Sequence, residues 1–196
     1  MGLAGLILAA GAGRRMAAGP KALLRYRNEY FIDRLGRTLQ EAGCSPVSVV
    51  LGCEADEVQR TAHLADMRVV VNPQWASGMA SSFRVGIAAS ILGEADILVS
   101  VVDQPDVSKE IIARLRGDHG PGRITVPLYA GNPGHPVLLD AALARKAAAT
   151  AAGDSGARAF MLRHPSVVDY VDCSDLGSGL DVDTPEDLRG LKDLLP

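Results

Sequence analysis

An apolar run that stops at two closely spaced glycines restricts the fold of this chain more than any other feature. The run covers residues 6–10 and is followed by Gly11 and Gly13, and then by basic residues that include Arg15 and Lys21. Glycine permits a tight turn and lets backbone N–H groups come close to an anion. The arginine and the lysine add positive charge to the same loop. The pattern predicts a buried strand that delivers a glycine loop to an anionic ligand, for which a polyphosphate is the best match.

Two familiar phosphate-binding motifs do not match this loop. The dinucleotide fingerprint needs a third glycine three positions after Gly13, where this chain has Met16. The P-loop needs a Gly-Lys pair followed by Ser or Thr, but Lys21 follows Pro20 and precedes alanine. A longer loop over residues 11–21 remains, which can wrap a triphosphate and its base together. A glycine turn without any ligand is the alternative interpretation.

Composition excludes several classes of protein. The chain has 196 residues, of which 47% are hydrophobic and 4% aromatic, with a formal net charge of -3. A core of one domain, residues 1–196, is therefore expected, and a nucleic-acid partner is not, because both a basic face and aromatic stacking platforms are missing. No apolar run reaches the length of a membrane span, and the first apolar segment leads into the glycine loop, so we expect no membrane partner and a cytoplasmic protein. The three cysteines match neither a disulfide framework nor a zinc site; they are Cys44, Cys53 and Cys173.

The order of apolar and amphipathic segments predicts an α/β fold. Strands are predicted over residues 5–8, 47–51, 68–71 and 97–102, and helical patterns separate them, which indicates a mostly parallel sheet. The turn-rich loop over residues 117–122 is predicted to mark a change of topology. Ligands of such sheets bind beyond the carboxyl ends of the strands, so motifs there are candidates for function.

Acidic residues follow the most apolar strand and recur near the end of the chain. Asp103 comes directly after the strand, where one or two carboxylates are enough to hold Mg²⁺ together with phosphate oxygens. Its alternative role is a helix cap, although Asp106 and Ser108 are also available for that. In the later cluster, Asp181 and Asp183 share one face if the backbone is extended, but only one of them is expected to reach a metal.

A polar segment follows the third predicted strand. Gly78 permits a close turn, and Ser81 and Ser82 stand in the first turn of the next helix, where N–H groups and hydroxyls suit phosphate or the edge of a base. An ordinary helix start capped by Ser77 explains the segment equally well when it is taken alone.

These motifs together resemble the nucleotidyltransferases of the molybdenum-cofactor family and the related sugar and alcohol nucleotidyltransferases. The signature is a strand, Leu-Ala-Ala-Gly, a small-residue loop, Arg-Met and a later lysine, and residues 6–16 with Lys21 are similar to it. Asp-Gln-Pro at Asp103, Gly-His-Pro at Gly134 and Gly-Asp-Ser-Gly-Ala-Arg ending at Arg158 are similar to the cytidylyl branch. The resemblance spans residues 6–188 and implies a three-layer, Rossmann-like nucleotidyltransferase domain.

The resemblance also implies roles for individual residues. The expected reaction transfers CMP from CTP to a phosphorylated acceptor, molybdopterin in this family, with Mg²⁺ as cofactor and pyrophosphate as product. CTP is favoured over GTP because the guanylyl branch carries glycine at the position of Ala10. His135 is expected near the acceptor or, alternatively, as a turn histidine bonded to backbone, and Arg158 as an anion contact or a solvated helix charge. The implied assignments are Arg15, Lys21 and Asp103 as catalytic; Ala9, Ala10, Gly11, Gly13, Lys21, Gly78, Ser81 and Ser82 as nucleotide-binding; Gly134, His135 and Arg158 as acceptor-binding; and Asp103 and Asp183 as metal ligands.

Two functions from other classes remain open. Some chains similar to this family are NAD(P)H-dependent reductases of pigments formed in nicotine breakdown, and Glu54 stands just past the second predicted strand, where a ribose-binding acid would lie. The incomplete dinucleotide fingerprint and the presence of both Asp103 and Asp183 favour metal-dependent transfer instead. A non-catalytic delivery or regulatory protein would be expected if one of those aspartates were missing. Guanylyl transfer and sugar-phosphate nucleotidyl transfer are alternatives within the same class.

Overall fold

The computed structural model describes residues 2–13, 16, 19–26, 28–90 and 94–194, with side chains up to residue 190. Arg15 therefore lies outside the described residues. The strands are β1 (Leu3–Ala9), β2 (Arg25–Tyr26), β3 (Glu29–Tyr30), β4 (Val47–Leu51), β5 (Arg68–Val71), β6 (Asp96–Val101), β7 (Ile124–Tyr129), β8 (Asn132–Pro133), β9 (Val137–Leu139) and β10 (Val168–Asp172). The helices are α1 (Phe31–Glu41), α2 (Ala55–Thr61), α3 (Met79–Ser90), α4 (Lys109–Asp118), α5 (Ala141–Thr150), α6 (Arg158–Arg163) and α7 (Pro185–Leu194).

The described part of the chain forms one eight-stranded sheet and a small β2–β3 hairpin. The strand order of the large sheet is β10-β7-β9-β6-β1-β4-β5, with β8 paired to β7. The strands β6, β1, β4 and β5 are mutually parallel, as predicted, and β10 is parallel to β7. Within the large sheet, only β9 and β8 run against the other described strands, so the prediction of a mostly parallel α/β sheet is confirmed.

Helices cover both faces of the sheet. Side chains of a strand alternate between its faces, and on β1 the neighbours Leu6 and Ile7 enter two different apolar clusters, each with no exposed surface. Ile7 packs in the cluster that contains Phe31 of α1, whereas Leu6 packs in the cluster that contains Phe83 of α3. The structure is therefore a three-layer α/β arrangement, as the resemblance implied.

The chain changes topology after α4. The loop over residues 117–122 leads to β7, which does not pair with β6. The three-residue strand β9 lies between them and is antiparallel to both. The change of topology predicted at this loop is therefore found, and β9 is the connection between the two halves of the sheet.

The described helices include none that has both the length and the apolar character to cross a bilayer.

Candidate active site

A cavity of about 440 Å³ opens at the carboxyl edge of the parallel strands. The connections after β1, β5 and β6 line it, together with the connection between α5 and α6 and the segment before α7. Parallel strands present their carboxyl ends at one edge, which is why motifs far apart in sequence meet here.

Lys21 stands between two carboxylates at one end of this cavity. Its Nζ lies 2.7 Å from Oδ2 of Asp103 and 2.5 Å from Oδ1 of Asp183. The lysine side chain is 13% exposed and each aspartate side chain 26%. Burial acts to lower the pKa of Lys21, but the hydrogen bonds and charges of both aspartates outweigh it, so the pKa is raised. The lysine is therefore held charged against two carboxylates.

Backbone contacts explain why the two acidic segments meet. The N–H of Val182 donates to the carbonyl oxygen of Asp103 at 2.8 Å. Gln104 donates through Nε2 to Oδ1 of Asp181 at 2.8 Å. Asp181 is thus bonded to Gln104 beside the cavity, whereas Asp183 is bonded to Lys21. The two aspartates, of which the sequence expected only one to reach a metal, therefore have different partners.

Asp106 stabilises the contact between the two acidic segments. Its buried carboxylate accepts hydrogen bonds from the N–H and the hydroxyl of Ser178, at 2.8 and 2.6 Å, and from the N–H of Gly179 at 3.1 Å. The cap of α4 is instead Ser108, whose hydroxyl accepts from the N–H of Ile111. Of the three cap candidates that the sequence offered, Ser108 caps the helix, Asp106 holds the acidic loop and Asp103 pairs with Lys21.

The glycine loop forms part of the cavity wall. Gly13 has a positive φ of 57°, and a Cβ there would lie 2.9 Å from the carbonyl oxygen of Gly19. Around Gly11 a Cβ would meet nothing within 4 Å, so the protein's own packing does not require glycine at that position. Ala10 also lines the cavity, whereas Ala9 ends β1 and is buried in the core.

The segment after β5 is organised by a buried asparagine. Nδ2 of Asn72 donates to the hydroxyls of Ser81 and Ser82, at 2.8 and 3.0 Å. Ser82 lines the cavity, whereas Ser81 bonds to the carbonyls of Gln74 and Gly78 within the turn. Ser81 therefore contributes to the shape of the turn, and Gly78 and Ser82 face the cavity.

The predicted acceptor residues lie elsewhere. None of Gly134, His135 and Arg158 is among the described residues that line the cavity, and Arg158 is exposed at the start of α6. His135 is bonded to backbone: Nδ1 of its ring is 3.3 Å from the carbonyl of Val99, and its carbonyl accepts from the hydroxyl of Tyr129. Burial lowers the pKa of His135, against the opposing effects of that carbonyl and of nearby aspartates.

Asp154 and Trp75 are among the cavity residues that the sequence reasoning did not select. Asp154 lines the cavity, although an aspartate just before a helix is ordinarily a cap. The hydroxyl of the neighbouring Ser155 instead accepts a hydrogen bond from the N–H of Ala159. Trp75 lines the cavity as well. Its only sequence signal is membership of the polar segment that also contains Gly78.

The acidic pair suits a hard divalent cation that shares phosphate ligands. The described residues contain no cluster of three or more His, Cys, Asp or Glu side chains able to hold a metal. Mg²⁺, however, is commonly held by one or two carboxylates together with substrate phosphates. Asp103 and Asp183 already converge on one cation, the ammonium of Lys21, so their donor atoms and spacing fit this kind of site.

A parallel sheet that brings a glycine loop, a lysine and two carboxylates to one cavity characterises α/β enzymes that act on nucleotides. The chain belongs to the family of the MobA-like NTP transferase domain, whose model matches residues 5–167. The family resemblance of the motifs is thereby confirmed, and with it the type of enzyme, a nucleotidyltransferase.

Similar proteins carry different names. The chain is 43% identical over 194 residues to nicotine blue oxidoreductase of Paenarthrobacter nicotinovorans, with 95% of each chain covered. It is 24% identical over 189 residues to the molybdenum cofactor cytidylyltransferase of Escherichia coli (strain K12), covering 96% of this chain and 94% of the relative. The crystal structure of Rv0371c from Mycobacterium tuberculosis H37Rv in complex with manganese superimposes with a TM-score of 0.80 at 30% identity, with all of both chains covered.

Proposed function

We propose that this protein transfers CMP from CTP to a phosphorylated acceptor, the molybdopterin cofactor, and releases pyrophosphate. The observation that carries this proposal is the position of Lys21 between Asp103 and Asp183 in a cavity bordered by a glycine loop. Nucleotidyl transfer needs cations and fixed donors around a triphosphate, and this end of the cavity concentrates both.

In this proposal Asp103 and Asp183 would hold Mg²⁺, which would supply neutralisation of phosphate charge when bound. Lys21, at the same end of the cavity, would neutralise charge on the phosphates of the leaving pyrophosphate. Backbone N–H groups at Gly11 and Gly13 contact the triphosphate, and Arg15, outside the described residues, shares the neutralising role. The phosphate of the acceptor is already ionised, so the site needs positioning more than a strong base.

The finer assignments rest on sequence similarity and on local geometry. Ala10 at the cavity wall and the relative from Escherichia coli support CTP over GTP. Gly134, His135 and Arg158 are proposed to contact the acceptor. Action in the cytoplasm is proposed as well, because the buried thiols of Cys44 and Cys173 form no disulfide, which suits a reducing compartment.

A second candidate function is reduction of a pigment by NAD(P)H. The 43% identity with nicotine blue oxidoreductase over 95% of both chains favours it. Glu54 is exposed three residues after the end of β4, at the start of α2, where a ribose-binding carboxylate of such an enzyme would stand. Hydride transfer, however, gives no role to a paired Asp103 and Asp183.

Ligand-induced stabilisation separates the two candidates. A ligand that binds only the folded state raises the melting temperature, so CTP, GTP, ATP and NADPH are each tested with and without Mg²⁺. The transfer proposal expects a shift with CTP that requires Mg²⁺ and disappears in Asp103→Asn. Asp118→Asn, the same change at an exposed residue at the end of α4, should leave the shift intact.

Three other results would redirect the assignment. A shift with NADPH that ignores both Mg²⁺ and Asp103→Asn would replace transfer by reduction. A preference for GTP or ATP would point to another nucleotidyl donor. Binding of CTP without release of pyrophosphate in the presence of molybdopterin would argue against molybdopterin as the acceptor.

A further inference from the structure

The two ends of the cavity are lined by different kinds of residue. Lys21, Asp103 and Asp183 stand near the end of β6, whereas Trp75 and Met79 line the side nearer β4 and β5. Strand β1 separates β6 from β4, so the two ends lie about 10 Å apart at the usual strand spacing. One end is suited to phosphates, and the other presents mainly apolar surface.

Close packing fixes the position of Trp75 at the apolar end of the cavity. A Cβ at Gly52, just after β4, would lie 2.5 Å from Cβ of Trp75 and 2.8 Å from Cβ of Ala10. The absence of a side chain at Gly52 therefore makes room for the tryptophan against the end of the sheet. Trp75 is half-buried, packs on the core cluster that contains Phe83, and lines the cavity with the rest of its surface.

Asp154 lies at the same end, on the connection between α5 and α6. The carbonyl of Gly153 accepts a hydrogen bond from the N–H of Ala80 at 3.0 Å, which fixes this loop over the start of α3. A Cβ at Gly78 would lie only 2.7 Å from Oδ1 of Asp154, so the carboxylate lies directly against the turn that follows Trp75. In the described part of the chain, no hydrogen bond or ion pair engages this exposed carboxylate.

An unpaired carboxylate in the cavity selects what binds beside it. An ionised carboxylate can only accept hydrogen bonds, and it repels phosphate. The group that faces Asp154 should therefore be a donor, and the aromatic surface next to it suits a flat ring. The exocyclic amino group of a nucleobase combines these two properties.

We propose that Trp75 and Asp154 form the base-binding end of the cavity. Trp75 packs against the face of the base, and Asp154 accepts a hydrogen bond from its exocyclic amino group. This proposal rests on the proposed function, since it places the base of CTP there. It makes Asp154 the residue that separates cytosine from uracil, because uracil presents a carbonyl oxygen where cytosine presents the amino group, and that oxygen would face the carboxylate unpaired.

The chain contains a single tryptophan, so its fluorescence reports directly on this end of the cavity. Affinities for CTP and UTP are measured with Mg²⁺ by quenching of Trp75 in the wild type, Asp154→Ala, Asp154→Asn and Asp118→Ala. The wild type should bind CTP about tenfold to a hundredfold more tightly than UTP, the range expected for a hydrogen bond to a charged group. Asp154→Ala should abolish that preference.

The other two variants sharpen the test. Asp154→Asn should weaken the preference, because an amide can turn either its oxygen or its NH₂ group to the base. Asp118→Ala removes a carboxylate outside the cavity and should keep the wild-type ratio of the two affinities. Thermal melts of all variants establish that each is folded at the temperature of the titrations.

The results that would overturn the proposal are distinct from those that would overturn transfer. Tight CTP binding with an unchanged preference over UTP in Asp154→Ala would remove the role of Asp154 and leave the transfer function standing. CTP binding seen by calorimetry without a change in fluorescence would remove the role of Trp75. A response to NADPH and to no nucleoside triphosphate would overturn both this proposal and nucleotidyl transfer.

Discussion

The backbone N–H of Val182 donates to the carbonyl of Asp103 across 2.8 Å, although 79 positions separate the two residues in sequence. This contact sets the segment that carries Asp183 beside the end of β6. The geometry of the acidic pair therefore depends on backbone as well as on the carboxylates, and residues outside the cavity should control it.

Asp106 is the first of these residues. Its replacement by alanine leaves three donors at Ser178 and Gly179 without their acceptor, so we expect a loss of about 1–3 kcal/mol in unfolding free energy. The loop before Asp183 should loosen as well, and the Mg²⁺-dependent affinity for CTP should fall. Urea unfolding and nucleotide titration measure the two effects. Ser178→Ala, which removes only the hydroxyl, should show a smaller loss; equal stability of the wild type and Asp106→Ala would contradict the supporting role.

Lys21 should give stability a distinct dependence on alkaline pH. Its pKa is raised in the folded protein above the usual 10.5, so its stabilising contribution is complete below pH 10.5 and is lost as the pH rises through the folded value. Lys21→Met removes that contribution and leaves two carboxylates facing each other. The difference in unfolding free energy between wild type and variant should stay level up to about pH 10.5 and shrink as the pH rises above it. A difference that stays constant above pH 10.5 would show that the stabilising contribution of Lys21 does not depend on its charge.

Gly11 and Gly78 should respond differently to alanine. Gly78 has φ 110° and ψ 167°, a region open to glycine alone, and its Cβ would lie 2.5 Å from the carbonyl oxygen of Gly153. We expect Gly78→Ala to lower the unfolding free energy by about 1–3 kcal/mol.

Gly11→Ala is the matched substitution without strain. Gly11 has no positive φ and open space around it, so stability should change by less than about 0.5 kcal/mol. Its methyl group would nevertheless stand where the backbone must approach phosphate, and CTP affinity should fall about tenfold, or about 1.4 kcal/mol. Thermal melts and nucleotide titrations separate the two effects. Wild-type affinity in Gly11→Ala would mean that phosphate does not contact this turn.

His119 should weaken the fold in acid. Burial lowers its pKa, against the opposing charges of Asp96, Asp140 and Asp169, and its Nε2 lies 3.6 Å from Oδ2 of Asp96 without a hydrogen bond. Below about pH 6.5 the unfolded chain takes up a proton that the folded histidine resists, so stability falls as the pH falls. His119→Gln should reduce the loss between pH 7 and pH 5, by at most about 1.4 kcal/mol per pH unit. The variant also loses the contact between Nδ1 of His119 and the hydroxyl of Thr125, which changes stability by a constant amount, so the slopes of the two pH profiles are compared. Parallel profiles would refute the prediction.

Much of the architecture could be predicted because it follows from strong periodic patterns. The parallel strands and their helices are apolar segments of ordinary length, and their boundaries differ from the prediction by a few residues at most. The rule that ligands gather at the carboxyl edge also brought Lys21, Asp103 and Asp183 into one hypothesis, and the structure places them in contact. The hairpin of β2 and β3 was not predicted, because strands of two residues have no periodicity to detect.

The roles of Asp106 and Asp154 could not be derived from local sequence. Both aspartates precede helices, where a cap is the ordinary interpretation. In the structure a serine takes part in the start of each helix instead, and the carboxylates act across the fold, one on the loop at Ser178 and the other beside Gly78. Such roles depend on which loops the sheet order brings together, and a short motif does not contain that information.

The short strand β9 has a consequence for the order in which the chain can become active. The strands β5, β4, β1 and β6 all come from the first 101 residues, and they can pair with one another as soon as these residues are available. The strands β7 and β10 join them only through the three residues of β9, and Asp183 follows later still. A polypeptide emerging from the ribosome would therefore complete its glycine loop and Asp103 early, and would acquire the second carboxylate only 80 residues later.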